Sequence, residues 1–207
     1  MALFSEEQGN YTSHGLGVIM GLFSFFALFP MIKEPHGPWA TTSIIIYGSS
    51  MVILFFASTL YHFKWMSHNR KKFQVFDHLS IYILIAGTYT PFCLIAMRNG
   101  SGIILFSIIW GLALIGIIYK TFFTGKLRFL SMAIYLAMGY LVVFYFEEFS
   151  TSISTDSLYW VIAGGVLYSV GALFYSIRKL PYNHFIWHVF VLLAAASHLL
   201  AVYEMLK

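Results

Sequence analysis

The sequence predicts an all-α protein, an integral membrane bundle of seven transmembrane helices forming a single domain over residues 1–207, and three observations predict it. Hydrophobic residues make up 59% of the 207 and charged residues 10%, with a mean hydropathy of +0.79. A soluble domain carries roughly 25% charged residues and has no use for that much apolar surface. Apolar runs of about 20 residues recur along the chain, each long enough to cross a hydrocarbon core of about 30 Å. Lysine and arginine, finally, are shared unevenly between alternate loops.

The first span, 14–32, follows Glu6 and Glu7 instead of a basic n-region, so it is expected to stay in the mature protein. Its Gly17-x-x-x-Gly21 step suits close approach of a neighbouring helix. The second span, 41–63, closes on Ser58-Thr59-Leu60-Tyr61-His62. The third, 75–97, opens with Asp77-His78 in its first turn and contains Pro91, whose ring crowds the carbonyl of Gly87 and removes one backbone bond, so a kink is expected. Spans 102–120, 127–147 and 157–177 follow from hydropathy alone, and the seventh, 183–205, begins Asn183-His184-Phe185-Ile186-Trp187-His188. Trp39, Trp65 and Trp160 fall near span ends, where aromatic rings anchor at the interface. Cys93 is the single cysteine, so neither a disulfide framework nor a cysteine-rich zinc site is available. No lipidation signal is evident.

With seven spans, the N-terminal tail and the 2–3, 4–5 and 6–7 loops share one side, which holds Lys64, Arg70, Lys71, Lys72, Lys120, Lys126, Arg128, Arg178 and Lys179. The other side holds Lys33, Arg98 and Lys207. Nine against three predicts a cytoplasmic N-terminus and an outside C-terminus. The net charge of +4 then reads as a collar facing anionic headgroups, with membrane lipids as partners and no nucleic acid. The expected location is the cell membrane, multi-pass, the bacterial plasma membrane in view of the compact chain.

This topology gathers His62, Asp77, His184 and His188 at one membrane face, although ionisable groups in spans are costly and seldom kept without a partner. His184 and His188 are i, i+4 on a helix, which puts both imidazoles on one face, about 6 Å apart. Three imidazole nitrogens suit Zn²⁺ and leave a fourth position for water, whose pKa a zinc ion lowers to about 7. Asp77 is placed to take its proton, and Ser58, one turn from His62, to hold the water or orient a neighbour. For Asp77 the competing reading is a helix N-terminal acid that favours the dipole. His36, His68 and His78 read as interfacial or hydrogen-bonding residues. His14 reads as a packing residue. His198, about 15 Å along the helix from His188, is too far to share its ion, and lines a cavity or bonds across helices.

The elements Ser58-x-x-x-His62, Asp77-His78-Leu79-Ser80-Ile81-Tyr82 running into Gly87-Thr88-Tyr89-Thr90-Pro91-Phe92, and His184-x-x-x-His188 followed by Ala194 to Ala196 and His198, resemble the hemolysin III branch of the progestin and adipoQ receptor (PAQR) superfamily. The start Ser13-His14-Gly15-Leu16-Gly17 resembles the same branch. The resemblance implies a seven-helix fold with a cytoplasmic N-terminus, zinc on His62, His184 and His188, and assistance from Ser58 and Asp77. Without the long N-terminal region of the hormone-receptor members, the chain gives no reason to expect hormone signalling.

The function expected is a zinc-dependent hydrolase of lipid amides or esters, with the substrate arriving laterally from the bilayer; the resemblance implies a ceramidase-like activity in membrane-lipid homeostasis. The alternative is a non-enzymatic lipid-sensing or pore-forming, cytolytic protein in which zinc is structural. Haem between His62 and His188 is a third reading, and it leaves the i, i+4 pair and Asp77 unexplained.

Overall fold

The computed structural model describes residues 5–32, 37–124, 128–177 and 179–207. Lys33, His36, Lys126 and Arg178 lie outside these residues, as does the side chain of Arg128. The described residues are all-helical, and seven spans are long and apolar enough to cross a membrane.

Helix α1 (Glu6–Leu28) begins well before the expected residue 14. Ser5 caps it: the Ser5 hydroxyl accepts from Gln8 N at 3.2 Å and the Gln8 carbonyl accepts from Ser5 N at 2.8 Å. Glu6 and Glu7 sit on the positive end of the helix. Helix α2 (Gly37–Phe63) packs along α1 at the glycine step. A Cβ at Gly21 would stand 3.0 Å from Val52, and one at Gly17 would run into the Phe55 ring.

Helix α3 (Arg70–Pro91) starts earlier than expected and passes after Pro91 into a π turn, Phe92–Ala96. The irregularity expected at Pro91 takes that form, with Met97 N reaching Phe92 O at 2.9 Å. Helix α4 (Gly102–Phe123) returns along α3. Its start is held by Glu148, which accepts from Ser101 N at 2.9 Å and from the Ser101 hydroxyl at 2.6 Å.

The span expected to run unbroken over 127–147 is divided into α5 (Arg128–Gly139), a 3-10 stretch Leu141–Tyr145 and α6 (Phe146–Ser152). Such a break frees backbone groups where no water is at hand to satisfy them. Tyr89 of α3 meets that need: its hydroxyl lies 2.7 Å from Gly139 O and 3.1 Å from Met138 O and accepts from Val142 N at 3.1 Å. Helices α7 (Thr155–Ser176) and α8 (Asn183–Leu206) complete the bundle as a closely packed pair.

Neighbours run α4, α3, α2, α1, α8, α7 around the bundle, and α5 closes the circuit by touching α3 and α7 only slightly. The span that contains it is the least buried of the seven. Close packing on one side and loose closure on the other leave an interior cavity of about 340 Å³, lined mostly by apolar side chains of α2 to α8. Large apolar residues such as Phe26, Phe122 and Phe144 cover the outside, as a hydrocarbon solvent requires. Trp39 lies under the Arg98 guanidinium at 4.6 Å, and Trp65 and Trp160 are exposed.

Candidate metal centre

Two helices bring the three imidazoles together. His62 is in the last turn of α2, while His184 and His188 occupy the first two turns of α8. The chain turns into α8 through Pro181 and Tyr182, the latter at a φ of 56°, and Asn183 ties the turn back to the carbonyls of Tyr175 and Ile177 at 3.3 Å each. Ring centroids are 4.9 Å apart for His62 and His184, 4.8 Å for His62 and His188, and 4.7 Å for His184 and His188, with interplanar angles of 77–82°. One nitrogen from each lies within 4.8 Å of the others. Tetrahedral zinc at about 2.1 Å from each ligand needs nitrogens roughly 3.4 Å apart, so modest side-chain movement suffices.

The hydrogen bonding fits a metal. His62 Nε2 and His188 Nδ1 are buried with no hydrogen-bond partner. An orphaned buried acceptor is expensive unless something fills it, and the donor set, three imidazoles, is one that zinc accepts. On the other edge of His62, Nδ1 lies 2.6 Å from a Glu7 carboxylate oxygen, with the Asn10 amide 3.3 Å away.

Asp77 faces the same cavity from α3, as do Ser58, His184 and His188. Because α3 begins at Arg70, Asp77 sits two turns into the helix, and the dipole, which acts within the first turn, does not account for it. Its carboxyl is buried beside the Ser58 hydroxyl. Two buried polar groups thus stand against an apolar cavity that His184 and His188 also line.

Four residues of the centre were missed by sequence reasoning. His14 is buried and stacks on His188 at 3.7 Å, with neither of its nitrogens hydrogen bonded, so it belongs to the cluster's wall as well as to helix packing. Glu6 accepts the His184 backbone N–H at 3.1 Å, while Glu7 and Asn10 meet His62. The signal that could have found the segment was the Ser5-x-x-Gln8 capping box, which carries the helix back past its apolar run. His198, in contrast, takes the roles expected of it: it lines the cavity and its Nε2 lies 3.3 Å from Val161 O across to α7. Tyr135 donates to the backbone carbonyl of His78 at 3.2 Å, and the His78 side chain lines the cavity. His68 is exposed in the α2–α3 loop.

The geometry can be set beside known proteins. The profile of the family described as Haemolysin-III related matches residues 3–199. The chain belongs to the hemolysin III family. Within it, Hemolysin-3 of Bacillus cereus is 40% identical over 187 residues, covering 90% of this chain and 85% of that protein. The Hemolysin-3 homolog of Bacillus subtilis strain 168 is 38% identical over 199 residues, 95% and 92% of the two chains. Human monocyte to macrophage differentiation factor is 31% identical over 174 residues, 81% of this chain and 72% of that one, in agreement with the wider progestin and adipoQ receptor superfamily. No solved structure matches significantly. Seven apolar spans and hemolysin III relatives from Bacillus make this a multi-pass membrane protein of the bacterial plasma membrane.

Proposed function

We propose that this hemolysin III protein is a zinc-dependent hydrolase of lipid amides or esters that serves membrane-lipid homeostasis. The observation that carries the reading is that Asp77, His184 and His188 line an apolar cavity of about 340 Å³, with His62 clustered against the two imidazoles. His62, His184 and His188 would hold the ion, which supplies Lewis acidity and makes water a nucleophile at neutral pH. Asp77 takes the proton and returns it to the leaving group; Ser58 keeps the Asp77 carboxyl turned toward the cavity. The apolar walls hold the acyl chain and exclude bulk water, and the loosely packed α5 gives that chain its way in from the bilayer. The uneven lysine and arginine distribution supports a centre near the cytoplasmic leaflet.

The name of the Bacillus cereus relative attributes cytolysis to that protein. An ion path needs polar groups along its length, whereas this cavity is lined largely by aliphatic and aromatic side chains, which suit a lipid chain.

Metal analysis of the purified protein and of His188→Ala, joined to a mass-spectrometric search for hydrolysed lipids, tests the proposal. Stoichiometric zinc in the wild type, its loss in His188→Ala, and lipid turnover that disappears in Asp77→Asn while zinc stays are expected. A wild type without zinc overturns the reading. Zinc without turnover would leave the ion a structural role.

A further inference from the structure

The first turn of α1 reaches across the ends of both helices that carry the imidazoles. Gly9 lets it come close, since a Cβ there would stand 2.7 Å from the Phe185 ring on α8. Glu6 accepts the His184 backbone N–H at 3.1 Å, and Glu7 reaches His62 on α2. Two consecutive carboxylates thus hold two different ligand helices.

Besides the neighbouring Asn10 amide, Glu7 has two ionisable partners of unequal character. Its Oε1 lies 3.3 Å from a guanidinium nitrogen of the half-exposed Arg70, and such exposed pairs contribute little. Its Oε2 lies 2.6 Å from Nδ1 of His62, whose ring is 2% exposed. The imidazole contact is the shorter and the drier. It also decides which nitrogen carries the proton. A proton on Nδ1 meets the carboxylate at 2.6 Å, a much shorter contact than the Asn10 amide at 3.3 Å, whereas a proton on Nε2 would meet no acceptor, because Nε2 is buried and unpartnered. The Nε2 lone pair is therefore left free on a ring whose centroid lies 4.9 and 4.8 Å from those of His184 and His188. A carboxylate holding the far nitrogen of a metal-binding histidine fixes both ring and tautomer and raises the basicity of the ligand nitrogen.

We infer that Glu7 is the positioning residue of the metal centre: it fixes His62 in the Nδ1–H form, and Arg70 tempers it by sharing the carboxylate. The inference rests on the metal reading above and adds to it a residue outside the ligand set.

Zinc affinity, measured on the full-length protein in detergent by competition with a chromophoric chelator, tests it. Glu7→Gln is expected to bind zinc about 10- to 100-fold more weakly, the usual cost of losing such a partner, and to keep the metal-free melting profile. Glu7→Asp should recover part of the loss, and Arg70→Gln should bind zinc at least as tightly as wild type. Histidine nitrogen NMR of the metal-free wild type is expected to show His62 as the Nδ1–H tautomer, a readout that needs no variant. Wild type that binds zinc alongside an equally tight Glu7→Gln, or a His62 with its proton on Nε2, overturns the inference and leaves the metal reading standing. Wild type that binds no zinc overturns both.

Discussion

His14 stacks on His188 with ring centroids 3.7 Å apart and planes inclined by 17°. His14 also meets the Phe55 ring edge-on at 5.0 Å, so one imidazole of α1 is wedged between α2 and α8. Its work is steric: it backs the face of His188 and limits where that ring can turn. His14→Ala is expected to destabilise the protein by about 2–4 kcal/mol through the cavity it opens, and to weaken zinc binding because His188 is no longer held. Thermal unfolding and chelator competition on the same preparation check the two effects.

Asp77 and Ser58 should separate chemistry from metal binding. Asp77→Asn keeps the shape of the side chain but cannot accept a proton, and a general base contributes roughly 10²- to 10⁴-fold to rate. Its zinc content should equal that of wild type while kcat on a lipid amide or ester falls within that range. Ser58→Ala should retain zinc and lower kcat by less, since its hydroxyl acts only through Asp77.

His198 supplies the control within the same helix. His198→Leu removes a hydrogen bond to Val161 O that is 3.3 Å long, a loss of about 1 kcal/mol. Zinc stoichiometry should be unchanged. Loss of zinc in this variant would show that the ion sits deeper in the cavity than the three-imidazole cluster.

Glycines of α1 should differ sharply in tolerance. Gly15 faces open space, so Gly15→Ala is expected to be neutral or to stabilise by up to about 1 kcal/mol through helix propensity. Gly17 faces the Phe55 ring, and Gly17→Val should force α1 away from α2, seen as a lowered Tm or loss of folded protein.

Tyr89 bears on the break in the fifth span. Tyr89→Phe leaves the backbone groups of Gly139 and Val142 without their partner in a low-dielectric setting, at a cost of about 1–3 kcal/mol. Hydrogen exchange should rise first around Gly139–Tyr145, before α7 or α8 is affected.

Much of this was legible in the sequence, for reasons that also explain the rest. Apolar length alone reports spans, so seven were countable, and the i, i+4 step of His184 and His188 with the odd-even alternation of spans put His62 on their level. Hydropathy is blind where polarity is structural. Residues 6–13 are too polar to register as span, yet they are helical and carry Glu6, Glu7 and Asn10 into the centre. The break after Gly139 was hidden for the opposite cause: Leu141 to Tyr145 are as apolar as the helices around them, and what permits the break is a hydroxyl on another helix. Asp77 was placed at the correct face but in the wrong turn, because Arg70 to Gln74 extend α3 with residues no apolar window includes.

The gathering of His62, His184 and His188 also sets an order of events during synthesis. His62 leaves the ribosome with well over half the chain still to be made, and its two companions arrive on the last helix. A partly inserted chain therefore has an incomplete cluster, and an ion can be captured by all three only after α8 has docked beside α1. Metal loading in this protein would then certify finished insertion, and a chain truncated before Asn183 could reach the membrane yet never acquire the centre.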